Sequence, residues 1–480
     1  MGGTCAPKLD TISAQRQRPN TVLMYADEMG YGDFGAHNDG YVQTPNLDAL
    51  IGESHCLSQH YSGSPVRSPA RAALLTGRYS HRTGAVTPQE VRGMDRIATR
   101  EATIGDTFKA GGYATGMAGK WHNGALDARC HPNPRGFDEF VGFRGGWADY
   151  YRWNLDVNGL TRPSDGRYLT DVLSEEAVSF IGRHAFDPFL LMVPFNAPHS
   201  PLQAPDVIVE KYIGMDLSRD VALTYAMIEV MDQAAGRILT ELEYQGLDEN
   251  TIVMFTSDNG PAFMLRSDQV PSGVNIDTTR YNWGFNGAKG SVYEGGIRVP
   301  MIMRWTNGLP SGHHEVTNLI HFTDWLPTLA AAAGIDMQGD LPLDRNNVLP
   351  QILGEQPWDE PRRFWQWNET NPSEPPTPPC ERATGSWCGL VWTSSTPAPT
   401  TKRPTNSTSR RTSNKYNPQN VTSVMQNLDP QRLIPDPPAP ELNNLIGSHP
   451  GRAGRMLREL ESWFEEVNAE RATAHLETLS

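Results

Sequence analysis

The sequence predicts an α/β protein built on one large, mixed and mostly parallel sheet flanked by helices. From residue 19 to about residue 358, short apolar segments of strand character alternate with segments of helical character, which is typical of parallel α/β folds. The 480 residues suffice for one large α/β unit with an appendage. Beyond residue 367 the composition changes, and a small C-terminal α+β subdomain is expected there.

The composition predicts three segments along the chain. Residues 1–18 are expected to form an N-terminal tail, 19–360 the main domain and 361–480 the C-terminal subdomain. Within the subdomain, proline and Ser/Thr-rich sequence predicts a poorly ordered stretch over 371–440. An apolar stripe at helical spacing predicts a terminal helix over 452–471 that packs on the main body.

Four apolar runs predict buried strands of the central sheet. They cover residues 21–25, 113–118, 189–195 and 251–256. Between the last two, apolar residues recur at helical spacing over 222–242, and Gly246 supplies a stop signal. This order of strand and helix matches the α/β prediction.

The charge balance excludes some classes of partner. The chain has 41 Lys and Arg against 55 Asp and Glu, a net charge of −14, so a general nucleic-acid binder or a polybasic membrane protein is not expected. No apolar stretch approaches the roughly 18 residues of a membrane span. Without an apolar signal segment in the first twenty residues, the expected location is the cytoplasm, or the periplasm or outside if the N-terminus is incomplete.

Polar residues of functional type follow each predicted strand. Asp27 and Glu28 follow the first, Lys120 and His122 the second, His199 the third, and Asp258 and Asn259 the fourth. Ligands of open α/β sheets bind outside the carboxyl ends of the strands, so these side chains are expected around one crevice. Taken singly, each has an ordinary alternative as a cap, a turn, a structural histidine or a surface lysine.

Together these residues suggest a cation beside an anion site. Asp27, Glu28, Asp258 and Asn259 form an all-oxygen set suited to Ca²⁺, with Mg²⁺ as the alternative. Lysines and histidines next to such a cation suit a tetrahedral anionic substrate group.

Residues 64–78 (SPVRSPARAALLTGR) predict a helix whose N-terminus could bind an anion. Ser68 is a good N-cap, Pro69 a good first helical residue, and Gly77 a good stop. A helix N-terminus attracts anions, so Arg67 is electrostatically unfavourable there unless an anion lies between.

Seven motifs in order resemble the sulfatase family, arylsulfatase type, of the alkaline phosphatase superfamily. They span about residues 19–370 and read NTVLMYADEMGYGDFG, TPNLDAL, RSPARAALLTGR, GMAGKWH, NAPHSPLQAP, TSDNG and GAKGSVYEGGIRVP. The resemblance implies an alkaline-phosphatase-like fold and hydrolysis of sulfate esters of small molecules or carbohydrates. It also implies a calcium ion and a formylglycine nucleophile, made by oxidising a Cys or Ser in the pattern C/S-x-P-S-R.

The resemblance implies a role for each matching residue. Asp27, Glu28, Asp258 and Asn259 would hold calcium, and Arg71 would stabilise the nucleophile and the carboxylates. Lys120 and Lys289 would neutralise sulfate oxygens. His122 would assist the nucleophile, and His199 would protonate or orient the leaving oxygen.

Two departures from the family pattern bear on activity. Glu28 stands where the family usually has Asp, and Arg67 stands at the formylglycine precursor, with Ala70 in place of the following Ser. Arginine cannot become formylglycine and stays protonated, so weak or absent hydrolysis is predicted. The alternatives are a non-catalytic binder of sulfate esters and a phosphodiesterase or phosphonate hydrolase that uses Ser68.

Three hypotheses account for Arg67 itself. The codon could carry a one-base error, since Cys and Arg codons can differ by one base. The chain could be a decayed gene product, or a pseudoenzyme in which Arg67 helps to bind an anion. The sequence leaves the oligomeric state and the alcohol portion of the substrate open.

Overall fold

A computed structural model describes most of the main domain and parts of the C-terminal region. The described residues are 18–90, 93–263, 278–344, 347–358, 362–368, 386–391 and 450–477. The predicted tail 1–18, apart from residue 18, lies outside the described residues. So does the predicted poorly ordered stretch 371–440, apart from 386–391.

Within the described residues, ten strands form one mixed sheet, and four more form two small sheets. The strands are β1 (Asn20–Ala26), β2 (His55–Leu57), β3 (His60–Tyr61), β4 (Ala114–Lys120), β5 (Glu139–Phe143), β6 (Asn154–Val157), β7 (Leu160–Pro163), β8 (Phe189–Pro194), β9 (Thr251–Ser257), β10 (Met301–Arg304), β11 (His314–Val316), β12 (Ile320–His321), β13 (Arg363–Asn368) and β14 (Ser386–Val391). The large sheet has the order β11-β2-β10-β9-β1-β8-β4-β5-β6-β7.

The centre of the sheet is parallel and buried on both faces. Strands β9, β1, β8, β4 and β5 are all parallel, with Val22 paired to Leu191 on one side and to Val253 on the other. Every residue of β1, β8 and β9 is buried. Continuous apolar runs are the sequence form of such strands, because helices cover both faces of a parallel sheet. The predicted mostly parallel α/β fold is confirmed.

Strand β4 extends further than the sequence predicted. The prediction ended it at residue 118, whereas the structure continues it through Lys120. Gly119 has φ +147°, and a Cβ on it would lie 2.1 Å from the Pro194 carbonyl oxygen. The strand therefore continues because glycine lets β4 approach β8 closely. Lys120 is the last residue of β4.

Helices cover both faces of the sheet. The α-helices of the described residues are α1 (Pro45–Gly52), α2 (Arg67–Thr76), α3 (Ser80–Thr83), α4 (Ile104–Ala110), α5 (Leu169–Arg183), α6 (Asp206–Ile213), α7 (Arg219–Tyr244), α8 (Glu294–Ile297), α9 (Trp325–Ala333), α10 (Leu349–Ile352) and α11 (Pro450–Glu477). Helices α1, α5, α6 and α7 contribute to one core cluster, and α2, α4 and α9 to the other. As predicted, α7 ends just before Gly246, which has φ +67°.

The C-terminal region adds a two-stranded sheet and a long helix. Strands β13 and β14 pair antiparallel. Helix α11 contains the predicted range 452–471, and its Trp463 and Phe464 are buried in a cluster with Tyr79 of the main body. Among the described residues, no helix combines the length and apolarity needed to cross a membrane.

Candidate active site

The predicted site residues converge at the carboxyl edge of the central strands. Asp27 directly follows β1, Asp258 directly follows β9, Lys120 ends β4, and His199 lies on the loop after β8. All four are buried. Parallel strands bring their carboxyl ends to one edge, which is why residues far apart in sequence meet here.

Two of the predicted residues have strained backbones. Glu28 has φ +77° and His122 has φ +56°, in the left-handed region that residues other than glycine rarely adopt. The Glu28 amide donates to Asp258 Oδ1 at 3.3 Å, and the neighbouring Met29 amide donates to Ser257 Oγ at 2.9 Å. These bonds hold the turn after β1 against the end of β9. Strain of this kind concentrates at functional sites.

Arg71 organises the carboxylates from below. Its Nε and Nη2 lie 2.8 Å and 2.7 Å from Asp258 Oδ2, and its Nη1 donates to the Lys120 carbonyl at 2.8 Å. Lys120 Nζ in turn contacts Asp27 Oδ2. Arg71, Lys120, Asp27 and Asp258 are all fully buried, so these pairs neutralise charges that water does not reach.

Burial shifts the protonation equilibria of two of these groups. Burial, together with the negative charge of Asp27, raises the pKa of Asp258 to about 6. Burial lowers the pKa of the Lys120 ammonium to about 7 despite the neighbouring Asp27. Both shifts disfavour the charged forms of Asp258 and Lys120. A cation bound near Asp258 and an anion bound near Lys120 would offset the desolvation of these charges.

Two buried oxygens of the predicted cation-binding residues have no hydrogen-bond partner. They are Asp27 Oδ1 and Asn259 Oδ1, in residues with no exposed surface. Buried acceptors are rarely left unsatisfied in proteins. Asp27, Glu28 and His199 also offer ligand atoms that lie within 4.8 Å of one another. Oxygen atoms placed in this way fit a hard divalent cation, as Ca²⁺ and Mg²⁺ prefer carboxylate and carbonyl oxygens.

The helix that carries Arg67 begins earlier than predicted. The prediction of Ser68 as N-cap and Pro69 as first helical residue is wrong, because α2 begins at Arg67 with Val66 as its N-cap. Ser68 is already inside the first turn, and its hydroxyl donates to the Asp95 carbonyl at 2.8 Å. Ser68 is fully buried and does not point into the site. Gly77 ends the helix as predicted, with φ +68°.

Arg67 contacts the remaining acidic and basic groups of the crevice. Its Nη1 lies 3.0 Å from Glu28 Oε1 and also contacts His199 Nε2. The same Glu28 oxygen lies 2.5 Å from Lys289 Nζ and 3.5 Å from His199 Nε2. Glu28 Oε1 is therefore shared by the side chains of Arg67 and Lys289.

Both predicted histidines are buried and electrically neutral near pH 7. Burial, and then the charge of Lys120 for His122 and of Arg67 for His199, lowers each histidine's pKa well below its usual range. His199 Nδ1 lies 2.5 Å from the Ser200 carbonyl, which assigns the ring proton to Nδ1 and leaves Nε2 as an acceptor. By the same reasoning, His122 Nε2 faces the Pro88 carbonyl at 3.3 Å, and its buried Nδ1 has no partner.

Two residues that position the site were not predicted from the sequence. The Tyr150 hydroxyl lies 2.8 Å from the Asn196 carbonyl and 2.9 Å from the His199 carbonyl, so it holds the loop that carries His199. Asn123 donates to the Ser68 carbonyl at 3.0 Å and supports the start of α2. The aromatic-rich run at 145–154 and the position of Asn123 next to His122 were the available signals, but neither specifies a partner.

Comparisons with known proteins find a matching family model and similar proteins. Residues 19–335 match the family model described as "Sulfatase". N-acetylgalactosamine-6-sulfatase of Canis lupus familiaris is 33% identical over 382 residues, which cover 73% of this chain and 69% of that protein.

Two solved structures share the architecture. Ps i-CgsB, solved in complex with k-i-k-neocarrahexaose, is 31% identical with a TM-score of 0.66, over 74% of this chain and 81% of that one. The PsFucS1 sulfatase from Pseudoalteromonas sp. is similar in fold, with a TM-score of 0.61 at 23% identity, over 78% of this chain and 83% of that one.

Proposed function

This chain belongs to the sulfatase family, and from that premise we propose that it binds sulfate esters beside a divalent cation but hydrolyses them weakly or not at all. The observation that carries the proposal is the guanidinium of Arg67, which lies among Glu28, His199 and Lys289 at the nucleophile position. Membership of the family indicates hydrolysis of sulfate esters. The arginine at residue 67 is the reason to expect that this activity is weak or absent.

The formylglycine nucleophile does not fit this chain. Oxidation to formylglycine requires a Cys or Ser side chain, and an arginine at neutral pH is protonated and has no nucleophilic lone pair. Ser68 is no substitute, because its buried hydroxyl is directed at the Asp95 carbonyl. For the same reason, the alternative of a phosphodiesterase or phosphonate hydrolase that uses Ser68 gains no support.

The oxygen groups of the site fit a cation, with Ca²⁺ as the expected ion and Mg²⁺ as the alternative. Asp27, Asp258 and Asn259 would hold it, and Glu28 would join them if it left its present partners. When bound, the cation would supply positive charge to the sulfate oxygens.

The chain's own cations would orient the sulfate group. Lys120 and Lys289 would neutralise its oxygens, while Arg71 holds Asp258 and the backbone of Lys120 in place. In a chain with its nucleophile restored, His199 would protonate or orient the leaving oxygen, and His122 would assist the nucleophile. The named relatives support a carbohydrate sulfate ester as the ligand, and an aryl sulfate is the practical probe.

The decisive experiment restores the precursor motif. The double variant Arg67→Cys/Ala70→Ser recreates the C-x-P-S-R pattern and is co-expressed with a formylglycine-generating maturation enzyme. Hydrolysis of a chromogenic aryl sulfate is expected to rise about 10³-fold or more over the natural chain, because a nucleophile replaces a cation. Mass spectrometry of the peptide that carries residue 67 reports whether the aldehyde has formed.

Two outcomes would contradict the proposal. Robust turnover by the natural chain would show that Arg67 does not abolish catalysis. An aldehyde-bearing double variant without turnover would show that the rest of the site has also lost its function. The same double variant without the maturation enzyme is the matched control.

A further inference from the structure

We propose that Arg67 makes this site a sulfate receptor that does not need a divalent cation. Arg67 and Lys289 would together bind the sulfate group at the mouth of the crevice, above the sealed carboxylates. This inference rests on the proposed sulfate-ester site and adds that the cation is dispensable for binding.

The charged side chains of the site differ in their exposure to solvent. The side chains of Arg67 and Lys289 are 15% and 22% exposed, whereas those of Arg71, Lys120, Asp27 and Asp258 are 0% exposed. An incoming anion therefore meets two cations first, and the acidic groups lie beneath them. Exposed positive charge on a low-dielectric crevice attracts anions more strongly than the same charge on an open surface.

The site has a net positive formal charge. The chain supplies four cations (Arg67, Arg71, Lys120 and Lys289) against three carboxylates (Asp27, Glu28 and Asp258), and 4 − 3 leaves +1 with both histidines neutral. With cysteine at residue 67 the balance is 3 − 3, or zero, and an anion would depend on a cation for net attraction. One substitution thus changes the formal charge of the bare site from neutral to net positive.

Glu28 already contacts both cations at the mouth of the crevice. Its Oε1 is already shared by Arg67 at 3.0 Å and Lys289 at 2.5 Å, so the carboxylate is engaged by the two groups at the mouth. A guanidinium carries five N–H donors, and the bond from Nη1 to Glu28 leaves others for sulfate oxygens. Glu28 then acts as an anchor that fixes the direction of Arg67, and it is withdrawn from the cation's oxygen set.

The test is calorimetric titration of the full chain with sodium sulfate at constant ionic strength, with and without chelator. After exhaustive EDTA treatment, the natural chain is expected to bind sulfate with a Kd within about threefold of its value in calcium. Arg67→Ala is expected to lose at least about tenfold in affinity in EDTA, since one charge-assisted contact is removed. Added calcium is expected to restore much of that loss.

Two further variants keep the result interpretable. Arg183→Ala removes the same charge from an exposed position, half-exposed at the end of α5, and is expected to leave sulfate binding unchanged. Arg67→Lys keeps a charge and is expected to retain binding in EDTA more weakly than the natural chain. Circular dichroism of every variant reports that the fold is intact.

The outcomes separate this inference from the function on which it rests. Sulfate binding in calcium that vanishes in EDTA would overturn the inference and leave the sulfate-ester site standing. Unchanged binding by Arg67→Ala in EDTA would also overturn it. An absence of sulfate binding in both conditions would count against the sulfate-ester site itself.

Discussion

Two clusters of basic and acidic side chains in this molecule differ in how their charges are paired. One is the active-site cluster at the edge of the sheet, made of Asp27, Glu28, Arg67, Arg71, Lys120 and Asp258. The other is the junction cluster, where helix α11 meets the main body. Its members are Arg78, Arg82, Arg100, Glu101, Asp344, Glu466 and Glu470.

The difference between the two clusters lies in which carboxylate oxygens have no partner. In the junction cluster every carboxylate has an arginine within ion-pair distance, for example Arg82 to Asp344 at 3.0 Å and to Glu466 at 2.6 Å. In the active-site cluster, the ion pairs of Asp27 use its Oδ2, and its Oδ1 remains without a hydrogen-bond partner. The two oxygens of Glu101 in the junction cluster also lack a hydrogen bond, but they lie 3.0 Å and 3.5 Å from arginine nitrogens. The junction charges therefore neutralise one another, whereas the active-site cluster leaves a carboxylate oxygen available to a ligand.

The largest expected effect breaks the junction cluster. Arg82→Met removes an ion-pair partner of Asp344, Glu466 and Glu470. It is expected to lower the free energy of unfolding by about 3–5 kcal/mol, because it leaves the buried carboxylate of Asp344 without its arginine. Urea denaturation measures the change. Arg183→Met, at an exposed ion pair, is the control and is expected to change it by less than about 1 kcal/mol. A loss below that value for Arg82→Met would show that the junction charges do not join α11 to the body.

The next effect tests the unpaired oxygens. Calcium at 100 times its Kd is expected to raise the free energy of unfolding by about 2.7 kcal/mol, since a ligand of the folded state alone stabilises it by mass action. Thermal melts with and without calcium measure the rise. Asp27→Asn is expected to abolish it, whereas Arg82→Met is expected to retain it. Equal stabilisation of the Asp27→Asn variant would place the ion elsewhere.

A smaller effect follows from the raised pKa of Asp258. Burial and the charge of Asp27 place that pKa near 6 in the folded chain, above the ordinary value of 3.8 in the unfolded chain. The folded state therefore binds the proton more tightly, and stability in chelator is expected to fall as the pH rises from about 4 to 6. The loss is on the order of 2 kcal/mol.

Urea denaturation over that pH range, in EDTA, measures this loss. Asp258→Asn is expected to flatten the dependence, because the amide does not titrate. Calcium is expected to reverse it, since the ion favours the ionised carboxylate. A natural chain whose stability rises steadily from pH 4 to 6, with the same slope in Asp258→Asn, would contradict the assignment.

The smallest effect concerns Ser68. Ser68→Ala removes the bond to the Asp95 carbonyl and is expected to lower the free energy of unfolding by about 1 kcal/mol. It is expected to leave aryl sulfate turnover of the matured Arg67→Cys/Ala70→Ser chain within about twofold, because the hydroxyl does not face the crevice. A phosphate-ester activity that disappears in Ser68→Ala would contradict this geometry.

Much of the fold was readable because burial leaves a local record. Strands β1, β8 and β9 are continuous apolar runs, since helices cover both faces of the sheet. Boundaries were less readable where tertiary contacts decide them. Strand β4 continues through Gly119 because β8 lies against it, and α2 begins at Arg67 because the Ser68 hydroxyl is bound to Asp95.

The sequence by itself determined the family, four buried strands of the central sheet and the set of polar residues that follow their ends. Its resemblance to the family assigns Arg67 to the position of the formylglycine precursor. Only the tertiary structure decided which charges pair, because ion pairs join segments that are distant along the chain. Glu28 meets Arg67 and Lys289 rather than standing free for a cation, and oxygens of Asp27 and Asn259 remain unsatisfied. Pairing depends on distance and burial in three dimensions, and residue types along a chain specify neither.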